Sequence, residues 1–501
     1  MMRPPSIFLC LSGGGLRAAL FRYGCLKRLQ EVGLLGHVYT TSATSGGAIT
    51  AALLAQYSDV DEEMGIWTYK WEEFEQLLLH TALRGLLGRT TVLVIAYLIY
   101  IVASLATLFF MFGWLNVGWL PPTVFGIGLL FHLCLVGRLI LDRAYTHFSI
   151  ERRSVFSDDP VRPEISNNSV RRFIKMIFVP SYLRVETLNA RLFHGVPLRF
   201  LPSYPRTFLN AVDLNDGRQK VFFKGGVAAL DHTGTRRLWL DEYRWFDDER
   251  IKYKNLTLAE AVAASSAIPL FFRPIALRDV GEPLGVFVDG GVADNLAINI
   301  PKAFSSFIHP SGGQRFQREA GGAAFSDVTS LVLIVDGSMP LVEKTKRHWT
   351  RLLSLKRISD AMMNQQVSDA TLTAFAFERN VQVPTRIISL QFGMPERAVG
   401  VPKLQNVLGK VRTHLDSFSM QECAVLAYCG YALIETLLQD EMPNLLTHYQ
   451  GTRSAEFRKF NDILPRDLGA WDSAPEAIER EMRYANRRFL PLRWIGRTFG
   501  I

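Results

Sequence analysis

Two stretches near the start of the chain decide the fold: Ser12-Gly13-Gly14-Gly15-Leu16-Arg17 and, about thirty residues on, Ala43-Thr44-Ser45-Gly46-Gly47. The second has the form of a nucleophile elbow, a serine on a sharp turn between a strand and a helix that leaves its hydroxyl placed to attack. The first is a glycine loop whose backbone N–H groups can hold the oxyanion that such an attack creates. Together they point to acyl hydrolysis.

The flanking residues supply matching elements. Residues 6–12 are apolar and read as a short buried strand. Residues 16–32 carry apolar side chains at helical spacing, with Gly33 as a stop. Residues 37–42 are rich in strand formers and residues 46–56 read as a helix. Strand, glycine loop, helix, strand, serine, helix is a βαβα start, which predicts a parallel central sheet in an α/β fold. Further on, residues 61–89 read as a helix. Residues 151–168 are polar and proline-containing and read as a linker. Strands at 207–214 and 220–224 are joined through Asn215-Asp216-Gly217, a turn signal. A helix at 256–266 stops near Pro269, a short strand ends at 286–289, and 309–327 reads as a Gly- and Ser-rich loop. A strand at 328–335 and a helix at 417–438 complete the pattern. Internal repeats and low-complexity tracts are absent from the sequence.

A chain of 501 residues has room for two or more domains. Its net charge of +9 fits an acidic partner, anionic lipid or nucleic acid, or simply a solvated basic surface. The five cysteines, Cys10, Cys25, Cys134, Cys423 and Cys429, are scattered and form no CxxC pair. This is the usage of buried free thiols in a reducing compartment. The residues after Met1 form a short strand rather than the apolar core of a secretory signal. With no metal-ligand cluster in the sequence, neither a metal nor a cofactor is expected.

Residues 91–115, TVLVIAYLIYIVASLATLFFMFGWL, carry no charge, and a second uncharged run covers 117–137. Roughly 20 apolar residues suffice for a helix to cross a bilayer. Trp114, Trp119 and Pro121-Pro122 lie near the join. Arg84 and Arg89 precede the pair, and Arg138, Arg143, Arg152 and Arg153 follow it. Cationic outer flanks place both outer ends in the cytoplasm. The expectation is an inserted two-helix transmembrane hairpin; the alternative is a pair of buried core helices. Gly118, Pro121, Pro122, Gly126, Gly128 and His132 leave the second run open to a short or re-entrant helix. The tail, residues 483–501, interleaves five arginines with Phe489, Leu490, Leu492, Trp494 and Phe499, which suits an anionic membrane surface or an ordinary docked tail. Nucleic acid is not needed to explain either feature.

A serine needs a base. His194, His232, His309, His348, His414 and His448 are available, and none has a setting that singles it out. A carboxylate in reach can serve directly. Asp289, in Phe287-Val288-Asp289-Gly290-Gly291, ends a strand before two glycines. Asp336-Gly337 has a similar local form and ranks second, without the second glycine.

These pieces resemble the patatin-like phospholipase family. The matching residues are Gly13-Gly14-Gly15-Leu16-Arg17, the elbow from Ala43 to Gly47, and Asp289-Gly290-Gly291 with Asp294-Asn295. Two connecting segments match as well, Ala211-Val212-Asp213-Leu214-Asn215 with Gly217, and Ala263-Ala264-Ser265-Ser266-Ala267-Ile268-Pro269 with Phe271 and Phe272. The family elbow begins with glycine, where this chain has Ala43. The resemblance implies a three-layer α/β/α hydrolase with a mostly parallel central sheet. It implies a Ser45–Asp289 dyad working through an acyl-enzyme. Gly13, Gly14 and Gly15 would form the oxyanion hole, with Arg17 fixing the loop or a lipid phosphate, and Ala43, Gly47, Gly290 and Gly291 would shape the two turns. The substrate would be a phospholipid or another lipid ester. The expected organisation is 1–89 and 207–440 for the two parts of the hydrolase domain. Residues 90–137 would form the hairpin, 138–206 a linker and helical connection, and 441–501 a basic tail. The whole would be a multi-pass membrane protein with its catalytic domain in the cytoplasm.

The same residues admit three other readings. Gly13-x-Gly15-x-x-Ala18 as a dinucleotide fingerprint requires an acidic residue at the end of the next strand, and 37–42 ends in none. A histidine-triad α/β-hydrolase places its serine after several strands, and position 45 is too early. A non-catalytic membrane scaffold on a decayed hydrolase fold would not need both Ser45 and Asp289.

Overall fold

The computed structural model describes residues 6–61, 66–84, 188–202, 205–230 except 225, 256–303 except 270, 271, 273, 280 and 281, 330–338, 351–390 except 382, and 418–441, with 185, 408 and 411 singly. The expected hairpin at 90–137, most of the linker, the loop at 309–327 and the basic tail lie outside the described residues. Among the described residues no helix is long and apolar enough to cross a membrane.

The chain opens with β1 (Ser6–Leu11), α1 (Gly15–Glu31), β2 (Val38–Thr44) and α2 (Gly46–Gln56), as the sequence pattern predicts. The helix expected over 61–89 is a correction. Asp61 instead ends β3 (Ser58–Asp61), which pairs antiparallel with β4 (Ile66–Tyr69), and α3 begins only at Trp71 (Trp71–Arg84). Next come β5 (Arg206–Asp213), β6 (Gln219–Phe223), β7 (Gly226–Ala229), α4 (Leu258–Ser265), β8 (Ile275–Asp279), β9 (Glu282–Asp289) and α5 (Asn299–Ala303). The last elements are β10 (Ser330–Asp336), α6 (Arg351–Val381), β11 (Thr385–Ser389) and α7 (Met420–Glu441). Helix α4 starts on a full capping box: the Thr257 hydroxyl accepts from the Glu260 N–H while the Glu260 carboxylate accepts from the Thr257 N–H.

One sheet of nine strands organises the described residues. Its order is β11-β10-β1-β2-β5-β6-β7, with β9 also on β5 and β8 on β9. The half from β11 to β5 is parallel. The other half is antiparallel. This corrects the expectation of a mostly parallel sheet, and the strand read over 286–289 is the end of a longer hairpin. The residues explain the division: Asn215-Asp216-Gly217 closes a tight β5–β6 turn with Gly217 at φ 69, and such a turn can only join antiparallel strands.

Side-chain alternation along β1 splits the core. Ile7, Leu9 and Leu11 join one cluster with residues of α1, α2, α3, α4 and α7. Phe8 and Cys10 join a second cluster with Val367, Ala370 and Ala374 of α6 and with Leu296, Ala297, Ile298 and Ile300. Helical segments thus cover both faces, as a near-continuous apolar run such as Ile7 to Leu11 demands. Cys10, Cys25, Cys423 and Cys429 are all buried, and burial pushes the Cys10 and Cys25 thiols up.

Candidate active site

The site lies at the C-terminal ends of the central strands. Strand β2 ends with Thr44 opposite Asn210 of β5, and Ser45 follows it directly, at φ 55 and ψ −122. Positive φ is rare for a residue with a β-carbon and marks strain held by the surroundings. The holding contacts are visible. The Ser45 N–H donates to the Ser265 carbonyl and to its hydroxyl, both at 3.2 Å, and the Ala48 N–H donates to the Ser45 carbonyl at 3.0 Å. A β-carbon at Gly46 would come within 2.5 Å of the Gly15 nitrogen, and one at Gly47 within 2.6 Å of the Ser12 carbonyl oxygen. The two glycines therefore let the elbow close onto the glycine loop. Ala43, where the family has glycine, sits in regular register between Leu11 and Leu209 and is fully buried, so its methyl group is accommodated in the sheet.

The strand registers bring Asp289 to the same place. β6 pairs with β5 over Leu209–Val212. β2 pairs with Arg206–Asn210 and β9 with Ala211–Asp213. A strand has two edges, and β6 overlaps the registers of both other partners, so β2 and β9 must share the opposite edge. They meet there end to end, β2 finishing opposite Asn210 and β9 finishing with Asp289 opposite Ala211. Ser45 and Asp289 are the residues at that junction. Asp289 is wholly buried; its N–H donates to the Ala267 carbonyl at 3.0 Å and its Oδ1 accepts from the Gly291 N–H at 2.7 Å.

The glycine loop closes the third side. The Gly13 N–H donates to the Asn295 carbonyl at 3.1 Å, and a β-carbon on Gly13 would lie 3.5 Å from the Ser45 Cβ. The Asn295 side chain stands between the two glycine turns: a β-carbon at Gly291 would lie 2.8 Å from its Oδ1 and 3.0 Å from Asp289 Oδ1. The Asn295 Oδ1 is buried with no hydrogen-bond partner among the described residues.

Of the two roles open to Arg17, fixing the loop or meeting a lipid phosphate, its contacts bear on the first. Its guanidinium is fully buried and donates to the carbonyls of Gly337, at 2.6 Å, and Val411, at 3.2 Å. Burial lowers its pKa to about 10, against the opposing pull of Asp336. These contacts match an anchor behind the loop, whereas a guanidinium with no exposed surface is not available to a lipid phosphate. Asp336, the second-ranked carboxylate, accepts from the Ser338 N–H and from the hydroxyls of Ser338 and Ser389, so both its oxygens are engaged away from Ser45. Of the six histidines considered as bases, His194 alone falls among the described residues, in a left-handed turn at φ 48.

Sequence reasoning gave no role to two residues of this neighbourhood. Ser265 holds the elbow N–H. Arg22, fully buried in α1, reaches the Ser12 and Gly13 carbonyls. A signal for Arg22 existed: it lies in Ala19-Leu20-Phe21-Arg22-Tyr23, where the helix has almost no polar face for a cation to occupy.

Among the described residues no group of histidine, cysteine and carboxylate side chains could hold a metal. A family model described as Patatin, patatin-like phospholipase, matches residues 9–301. No curated protein matches the chain. The solved structure of VipD from Legionella pneumophila is 13% identical, with 97% of this chain and 81% of that one covered at a TM-score of 0.32, a likeness too loose to carry an inference.

Proposed function

The chain belongs to the patatin-like phospholipase family and is a lipid ester hydrolase, and on that premise we propose that it cleaves its substrate with a Ser45–Asp289 dyad at a membrane surface. What supports the dyad is the end-to-end meeting of β2 and β9 on one edge of β5. In the proposed cycle Ser45 Oγ attacks the ester carbonyl carbon as its proton passes to the Asp289 carboxylate. The Gly13 N–H is taken by the Asn295 carbonyl, so the N–H groups of Gly14 and Gly15 are the ones left in the loop to hold the oxyanion. Collapse of the tetrahedral intermediate breaks the ester C–O bond, and the leaving alcohol takes the proton from Asp289. Water then attacks the acyl-enzyme, giving one proton to Asp289, which returns it to Ser45 as the fatty acid departs.

The uncharged runs at 91–115 and 117–137 support a tether that holds this site on the cytoplasmic side of a bilayer, and the arginine-rich tail supports contact with anionic lipid. The experiment is fatty-acid release from anionic phospholipid vesicles by the native chain, Ser45→Ala and Asp289→Asn. Both variants are expected to lose at least about 10³-fold in rate, as expected for members of a unit that acts together. Release that survives Ser45→Ala would overturn the dyad.

A further inference from the structure

We propose that Arg22 is a positioning residue of the oxyanion hole, holding the Gly13 carbonyl inward so that the Gly14 N–H faces the ester. The inference rests on the serine–aspartate reading above. The Arg22 Nη2 donates to the Ser12 carbonyl, to the Ser12 hydroxyl at 3.1 Å and to the Gly13 carbonyl at 2.9 Å. A trans peptide unit is planar, with its C=O and N–H pointing in opposite directions. Drawing the Gly13 carbonyl toward Arg22 therefore turns the Gly14 N–H the other way. Ser12 works as a second clasp: its hydroxyl donates to the Gly13 carbonyl at 3.0 Å and accepts from the Gly337 N–H at 2.8 Å.

The economy of the side chain argues for this role. A buried guanidinium is costly unless its donors are satisfied, and an apolar residue would fill the same space more cheaply. Arg22 is fully buried, yet its Nε and Nη1 have no hydrogen-bond partner among the described residues. One nitrogen does all the bonding, and all of it goes to the loop. Asp336 supplies an opposing charge, and even so burial drives the guanidinium down to about 9. What this arrangement provides is a cation behind the loop in a water-poor setting. There its field adds to that of the N–H dipoles where negative charge develops.

The test is steady-state hydrolysis of p-nitrophenyl butyrate by the full chain carrying Arg22→Met, Arg22→Lys or Ser45→Ala, with thermal melting of each. Loss of a direct oxyanion donor costs roughly 10²–10³-fold in kcat, so a group one step behind should cost about 10- to 100-fold. The expected result is that drop in kcat for Arg22→Met at an unchanged KM, with partial recovery in Arg22→Lys. If Arg22→Met does not melt cooperatively, Arg22→Lys alone decides, a lowered kcat at constant KM supporting the proposal. A native kcat in the folded variants, or a loss confined to KM, overturns it. Activity that survives Ser45→Ala would instead overturn the dyad, which separates the two failures.

Discussion

Asp294 accepts from the Ile298 N–H at 3.1 Å and the Asn299 N–H at 2.7 Å, and so holds the chain just where it enters α5 behind the site. Burial pushes its carboxyl up, against the pull of those two N–H groups and of Lys302. A raised carboxyl binds its proton more tightly in the folded chain than in the unfolded one. Its contribution to stability is therefore complete below the ordinary value of 3.8 and is lost as pH rises through the folded value. The melting temperature of the native chain relative to Asp294→Asn, which cannot titrate, should rise as pH falls from neutral toward 4; a constant difference would refute this. Asp294→Ala, which removes both acceptors, should cost about 1–2 kcal/mol. At this scale the sequence is readable where function leaves a backbone mark. Ser45 and Asp289 announce themselves by the glycines beside them, because only glycine allows the close approaches at Gly46, Gly47 and Gly290. Arg22 leaves no backbone mark, and only its apolar neighbours along the helix set it apart from a solvated arginine.

Between α1 and α7 the packing is tight enough for single atoms to matter. A β-carbon at Gly24 would overlap the Ala427 carbonyl, and one at Gly430 would lie 3.0 Å from Cys25 Sγ. Replacing a helical glycine by alanine gains about 1 kcal/mol in helix propensity, whereas overpacking costs about 1–3 kcal/mol. The clash here is with backbone, which cannot swing aside, so the cost wins: Gly24→Ala should lower the urea midpoint, and a raised midpoint would mean the helices stand further apart. The same pair of helices buries Arg28 against Glu435 at 2.5 Å, with the Tyr431 ring under the guanidinium. Breaking such a pair by Glu435→Leu should cost about 2–3 kcal/mol in denaturant unfolding, since the buried arginine then keeps only its longer contact with Glu31, at 3.4 Å. Both helices are legible from apolar spacing. α6 is not, because Ile358, Met362, Leu372 and Phe375 are more than half exposed and blur its apolar stripe. The β3–β4 hairpin hides behind the acidic run at 61–63, which reads as a helix start, and Pro283 interrupts the pattern of β9.

For the whole molecule the telling pair is β2 and β5, adjacent and parallel with Thr44 opposite Asn210 although the expected hairpin falls between them in sequence. Among the described residues their neighbourhood is set by the strand registers and by helices packed on the sheet. The entropy of closing a loop grows only slowly with its length, so shortening the connection should not forbid the pairing. Deleting residues 91–137 is accordingly expected to leave a cooperatively melting protein with native turnover of a soluble ester. Vesicle hydrolysis should respond differently if those residues hold the site at the bilayer. Linking a second binding event raises avidity by about 10²–10⁴-fold without any new contact, and cutting the link forfeits that gain. The rate on anionic vesicles should then fall by about 10²-fold or more, and high salt should lower what remains if the arginine-rich tail is the surviving contact. Equal losses on vesicles and on the soluble ester would instead make 91–137 part of the folded body, and the tether would be ruled out.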